Sequence, residues 1–179
     1  PSSCAVAEGL IQSGTRRIIR FSTQTANLGN GDLVLGNPAS NPQFEYAACH
    51  GHYHLRNYMA YRLRDTNGVA VGIGQKVGFC ILDVTKVSPN GATNPKYTCT
   101  SQGIQVGWSD VYDSTLDGQW VDITGVPNGS YLLELEVNPF GVLLESDYSK
   151  NLTYVPITLG RSGAAPLNDS FASATALFG

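Results

Sequence analysis

The chain has 179 residues, a formal net charge of −3 and only 14% charged residues, enough length for one domain with its own hydrophobic core. The acidic balance argues against a nucleic-acid partner, which needs a basic surface to neutralise phosphate. No apolar run approaches the roughly 18–20 residues of a membrane-crossing helix, so no membrane span is expected.

Sparse charge, 20 glycines and abundant Asn, Ser and Thr indicate a β-rich, turn-rich secreted domain. Taken in chain order, residues 16–21 (Arg-Arg-Ile-Ile-Arg-Phe) read as a strand, followed by a Gly/Asn loop at 27–31. Residues 46–54 and 57–64 are the next strands, and 77–84 follows with Phe79 and Ile81 on one face. Residues 119–123 precede a turn at Pro127-Asn128-Gly129. The clearest strand is 131–137, in which Tyr131, Leu133, Leu135 and Val137 point one way and Glu134 and Glu136 the other. A last strand at 152–159 contains Pro156, which suits a sheet edge. The pattern predicts an all-β fold, an antiparallel β-sandwich with long functional loops and little helix.

Two stretches, 22–45 and 86–118, fit no strand pattern and are expected to be functional loops. The sequence is read as one domain over 1–159 and a polar linker or tail over 160–179, leading toward a further domain. Because it opens at Pro1 without a leader, it is taken as a processed or trimmed portion of a secreted protein. Cys4, Cys49, Cys80 and Cys99 lack zinc-ribbon spacing and suggest two disulfides formed in an oxidising compartment. Their spacing leaves all three pairings open. Sequons at Asn128, Asn151 and Asn168 are compatible with export.

All three histidines of the chain, His50, His52 and His54, fall within five residues. On a strand they would share one face, roughly 6–7 Å apart, and could converge on one metal ion. Imidazole suits copper, zinc, iron and nickel alike, and it binds in its neutral form.

At this point the sequence resembles a known family. Cys49-His50-Gly51-His52-Tyr53-His54 is similar to the C-H-x-H-Y-H copper motif of the lysyl oxidases. Lys76-Val77-Gly78-Phe79-Cys80-Ile81-Leu82-Asp83 resembles that family's K-A-S-F-C-L-E-D segment. Trp108-Ser109-Asp110-Val111-Tyr112 and the later Asp117-Gly118-Gln119-Trp120-Val121-Asp122-Ile123-Thr124 resemble its D-x-Y and D-C-Q-W-x-D-I-T blocks. Val137-Asn138-Pro139 and Glu145-Ser146-Asp147-Tyr148-Ser149-Lys150-Asn151 resemble its V-N-P and E-S-D-Y-x-N-N ending. Order and spacing hold from about Cys4 to Leu159.

The resemblance implies copper held by His50, His52 and His54, and a lysine tyrosylquinone cofactor made from Lys76 and Tyr112. It implies a secreted, copper-dependent amine oxidase. A primary amine or peptidyl lysine would be oxidised to an aldehyde by dioxygen, releasing hydrogen peroxide and ammonia. Asp110, Asp113 and Asp117 are candidates for the general base. It also implies a Cys49–Cys99 bridge, and with it Cys4–Cys80, and a calcium site at Glu145, Asp147 and Asn151. The chain departs from the family in lacking the cysteines that flank the tyrosine block, and Lys150 stands where an asparagine ligand would be. An alternative is a non-catalytic metal-binding β-sandwich module. A zinc hydrolase would want an H-E-x-x-H motif, which is missing.

Overall fold

The computed structural model describes residues 4–76, 79–160 and 174–176, with the backbone alone at 75–76 and 174–176. A helical turn, α1 (Cys4–Ala7), precedes β1 (Ile18–Arg20), β2 (Thr23–Ala26), β3 (Leu33–Gly36), β4 (Phe44–Ala47), β5 (His52–Leu55) and β6 (Met59–Arg64). There follow β7 (Ala70–Lys76), β8 (Thr85–Lys86), β9 (Gln102–Ile104), β10 (Trp108–Tyr112) and β11 (Trp120–Asp122). Then come β12 (Gly129–Val137), β13 (Leu152–Leu159) and β14 (Ala174–Ala176). Short 3-10 turns lie at Pro38–Ser40 and Tyr148–Lys150. The fold is therefore all-β, as expected, and among the described residues antiparallel except where β14 runs parallel to β2.

The segments with the strongest alternation form the sheet ordered β13–β12–β6–β7. Its inner face carries Met59, Tyr61 and Leu63 from β6 and Leu133, Leu135 and Val137 from β12, all buried in the core. Burying one such side chain contributes about 2 kcal/mol. On the opposite face Arg62 bridges Glu134 and Glu136, each at 2.6 Å, and Arg64 also bonds Glu134. β13 is an edge strand, and Pro156 within it faces Leu132. Gly72 and Gly74 allow β11 to lie directly over β7: a Cβ at Gly74 would stand 2.3 Å from the Trp120 carbonyl oxygen.

The second four-stranded sheet, ordered β14–β2–β10–β8, corrects the sequence reading. The stretches 22–45 and 86–118 are not structureless loops, since they supply β2, β3, β9 and β10. Conversely, of the expected strand 77–84 the described residues, 79–84, form no strand. β7 is described as far as Lys76, and 79–84 is held by other bonds. The Ile81 N–H donates to Gln102 Oε1 at 2.8 Å, and the Ile81 carbonyl accepts from Gly103. Asp83 accepts from the N–H groups of Lys96, Tyr97 and Gln105 and from the Gln105 side chain, tying 83 to the following loop. Most of the expected 160–179 linker lies outside the described residues, while β14 pairs with β2.

The disulfides are Cys4–Cys49 and Cys80–Cys99, with Cα separations of 5.6 and 5.0 Å. This overturns the expected Cys49–Cys99 and Cys4–Cys80 pairs. Local bonding accounts for the difference. Gln102 receives from Ile81 and donates to the Cys99 carbonyl, which brings the Cys80 and Cys99 segments together. Cys49 is left to hold the N-terminal turn.

Candidate metal centre

Residues 46–54 are not one strand. β4 and β5 form a hairpin whose turn spans 48–51, and Gly51 adopts φ 72°, a left-handed conformation in which a glycine avoids a Cβ clash. Both His50 N–H and Gly51 N–H donate to the Ala47 carbonyl. His50 therefore sits in the turn, whereas His52 and His54 lie on one face of β5.

The turn nevertheless brings the three rings together. Centroids are 5.7 Å apart for His50–His52, 5.0 Å for His50–His54 and 4.8 Å for His52–His54. His54 Nε2 lies 3.0 Å from His52 Nε2. His52 Nδ1 is 3.1 Å from the His50 carbonyl oxygen, a bond that needs the proton on Nδ1 and leaves Nε2 as a lone-pair donor. His50 Nε2 faces Asp117 Oδ2 at 3.4 Å, and His50 Nδ1 faces Glu8 Oε1 at 3.1 Å. One ligand atom each from Glu8, His50 and His54 lie within 4.8 Å of one another, a group able to hold a metal ion.

Sequence reasoning missed Glu8. It follows α1, with its N–H donating to the Cys4 carbonyl at 2.8 Å, and the Cys4–Cys49 bridge carries it to the histidine turn. Only the correct disulfide pairing could have signalled it. A cleft of about 530 Å³ opens beside Glu8, Glu45, Tyr46 and His54.

Phe79 packs against all three imidazoles at 5.0–5.9 Å and against Tyr112 at 6.3 Å, so one ring separates the histidines from the tyrosine. Tyr112, at the end of β10, is buried, and its hydroxyl donates to the Phe79 carbonyl at 3.3 Å. Burial pushes the Tyr112 hydroxyl well above its ordinary range, and the nearby Asp110 carboxylate pushes it the same way. Tyr58, 6.1 Å away, is raised for the same two reasons. Lys76 ends β7 opposite Met59, next to Tyr58 in sequence; its side chain lies outside the described part.

The three aspartates separate clearly. Asp110 is buried on the same face of β10 as Tyr112. Asp117 meets His50. Asp113 accepts from both the N–H and the hydroxyl of Thr115, which holds its carboxyl below the usual range.

In the acidic ending, Asn151 Nδ2 donates to Glu145 Oε1 at 2.9 Å, and Asn138 Nδ2 donates to the same oxygen. The Asn151 Oδ1 is buried with no hydrogen-bond partner. Asp147 instead caps the 3-10 turn through Ser149 and lies 3.7 Å from Lys150 Nζ. A cavity of about 270 Å³ is lined by Glu145, Asp147 and Asp32 among others.

Residues 2–165 match the family described as lysyl oxidase. The chain is 38% identical over 146 residues to lysyl oxidase homolog 2 of Gallus gallus, covering 79% of this chain and 18% of that protein. It is 37% identical over 154 residues to lysyl oxidase homolog 2 of Homo sapiens, covering 84% and 19%. It is 38% identical over 143 residues to lysyl oxidase homolog 4 of Mus musculus, covering 78% and 18%. The chain thus spans about a fifth of the length of these relatives. The matched span includes the histidine hairpin, β7 and β10, and the chain belongs to the lysyl oxidase family.

Proposed function

We propose that the chain is a copper-dependent amine oxidase domain of lysyl oxidase type. It would convert a primary amine or peptidyl lysine to the aldehyde, with water consumed, dioxygen reduced to hydrogen peroxide and the nitrogen leaving as ammonia. The observation that carries this reading is the histidine cluster one aromatic ring from a buried tyrosine, within the span matched to the family.

The donor set fits copper. Two imidazole nitrogens 3.0 Å apart have the spacing of neighbouring ligands bound at roughly 2.0–2.1 Å, and imidazole with carboxylate suits copper(II). His50, His52 and His54 would hold it. Copper would supply redox chemistry with dioxygen, and a lysine tyrosylquinone from Lys76 and Tyr112 would supply the amine-binding electrophile. Lys76 pairs across the ladder with Met59, whose neighbour Tyr58 packs against Tyr112, and this supports that partnership.

The surrounding residues then have distinct tasks. The core around Tyr112 excludes water and keeps its hydroxyl protonated. Asp110, buried beside it, is the favoured base; Asp117 orients His50, and Asp113 shapes a turn. The two disulfides support a secreted location. Among the described residues no helix is long and apolar enough to cross a membrane.

Copper loading in air followed by a peroxide-coupled assay with a simple primary amine tests the reading. Turnover and a quinone-specific redox stain are expected, and Tyr112→Phe should reduce both to background. Stoichiometric copper uptake without peroxide would favour a non-catalytic metal-binding module instead.

Glu145, Asp147 and Asn151 are proposed to bind calcium, supported by the partnerless Asn151 oxygen beside Glu145. Calcium should raise the melting temperature of the wild type but not of Glu145→Gln; equal shifts would remove the assignment.

A further inference from the structure

We propose that Glu8 is a fourth protein ligand of the metal held by the histidine hairpin, which completes a set of three nitrogens and one carboxylate oxygen. The inference rests on the copper reading above but concerns a residue that the hairpin motif does not contain.

Three observations carry it. First, both Glu8 carboxylate oxygens are enclosed, and neither takes part in a hydrogen bond; the same holds for His50 Nδ1. An enclosed carboxylate without a hydrogen-bond donor is unfavourable, and a cation removes that penalty. Second, Glu8 Oε1 and His50 Nδ1 lie 3.1 Å apart without the alignment of a hydrogen bond. Two donor atoms at that distance, directed past each other, have the spacing of adjacent ligands on one ion. The His52–His54 pair shows the same spacing at 3.0 Å. Third, His50 Nε2 is engaged by Asp117 at 3.4 Å, so its proton belongs on Nε2 and Nδ1 is left as the lone-pair donor on the side of Glu8.

The covalent frame explains why an N-terminal residue can serve a mid-chain site. Cys4 and Cys49 are joined, Cys49 precedes His50, and Glu8 is bonded back to Cys4 across one helical turn. The bridge thus delivers carboxylate and imidazole to the same point. A carboxylate donor lowers the net charge of a copper(II) centre by one and favours the divalent over the monovalent ion.

The test uses the full chain, with copper(II) affinity measured by chelator competition and the bound ion examined by electron paramagnetic resonance. Glu8→Gln should weaken copper(II) binding by about 10–100-fold and change the g and hyperfine values, with zinc affinity reduced in parallel. Thermal melting of the metal-stripped proteins should be unchanged or slightly higher in Glu8→Gln, because the uncompensated carboxylate is gone. Unchanged affinity, or weakened affinity with an unaltered spectrum, would overturn the ligand assignment; the second result would mark Glu8 as an outer contact. His54→Ala serves as the reference. If wild type and His54→Ala alike fail to retain one copper, the copper reading itself fails, whereas retention by wild type with no effect at Glu8 rejects only this proposal.

Discussion

Glu134 lies on the outward face of β12, yet its side chain is only 2% exposed because Arg62 and Arg64 reach across it from β6. Burial alone would raise its pKa, but the hydrogen bonds from Arg64 and Arg62 outweigh burial and hold the carboxyl down to about 2, against 4.5 for an ordinary glutamate. A depressed folded-state pKa means that the contribution is present in full above the unfolded value and is lost as pH falls through the folded value. The window therefore runs from about pH 4.5 down to about 2, and the contribution at neutral pH is on the order of 3 kcal/mol. Urea denaturation at pH 7, 4 and 2.5 should show that loss in the wild type. Glu134→Gln should be less stable at pH 7, with a visibly flatter response to acid. An equally steep acid response in the variant would show that other carboxylates control it.

At the scale of elements, what the sequence disclosed depended on how each strand satisfies its interior. β6, β12 and β13 were legible because their inner residues are apolar at every second position and match the pleat. β2, β9 and β10 were not, because their buried residues include Thr23, Gln102, Ser109 and Asp110. Hydrogen bonds between side chains replace apolar contact there: Gln119 donates to Thr23 at 3.1 Å, and Gln24 donates to Ser109 at 2.7 Å. A polar interior of this kind has no periodic signature, so two sheet-forming stretches read as loops. The histidines were legible as a cluster, but their backbone was not. Simple alternation placed His50 on the strand, although Gly51 beside it permits the turn. The folded hairpin still brings the rings within 4.8–5.7 Å, so the three are neighbours although the local geometry expected of them was wrong. Glu8 was out of reach because its position depends on a disulfide that spacing does not specify.

For the molecule as a whole, the two disulfides divide the work between the two parts of the site. Cys4–Cys49 closes 45 residues and Cys80–Cys99 closes 19, which in the chain-entropy model gives about 4 and about 3 kcal/mol of stabilisation respectively. Their stability contributions are thus similar, but their positions differ. The first anchors Glu8 and the turn before His50. The second anchors the segment from Phe79 to Asp83, which lines Tyr112 and leads back to Lys76. Cys4→Ser/Cys49→Ser should lose stability in urea and also bind copper(II) at least about tenfold more weakly, since a displaced ligand carries a penalty of that size. Cys80→Ser/Cys99→Ser should lose comparable stability and keep copper affinity within about threefold, because Phe79 beside Cys80 packs on the imidazoles but supplies no ligand atom. Its deficit should instead appear as slower or incomplete quinone formation after copper loading, read by redox stain and intact mass. Equal losses of copper affinity in the two double variants would mean that global stability governs metal binding. Unequal losses in the expected order would mean that the N-terminal bridge is part of the metal centre and the second bridge part of the tyrosine pocket.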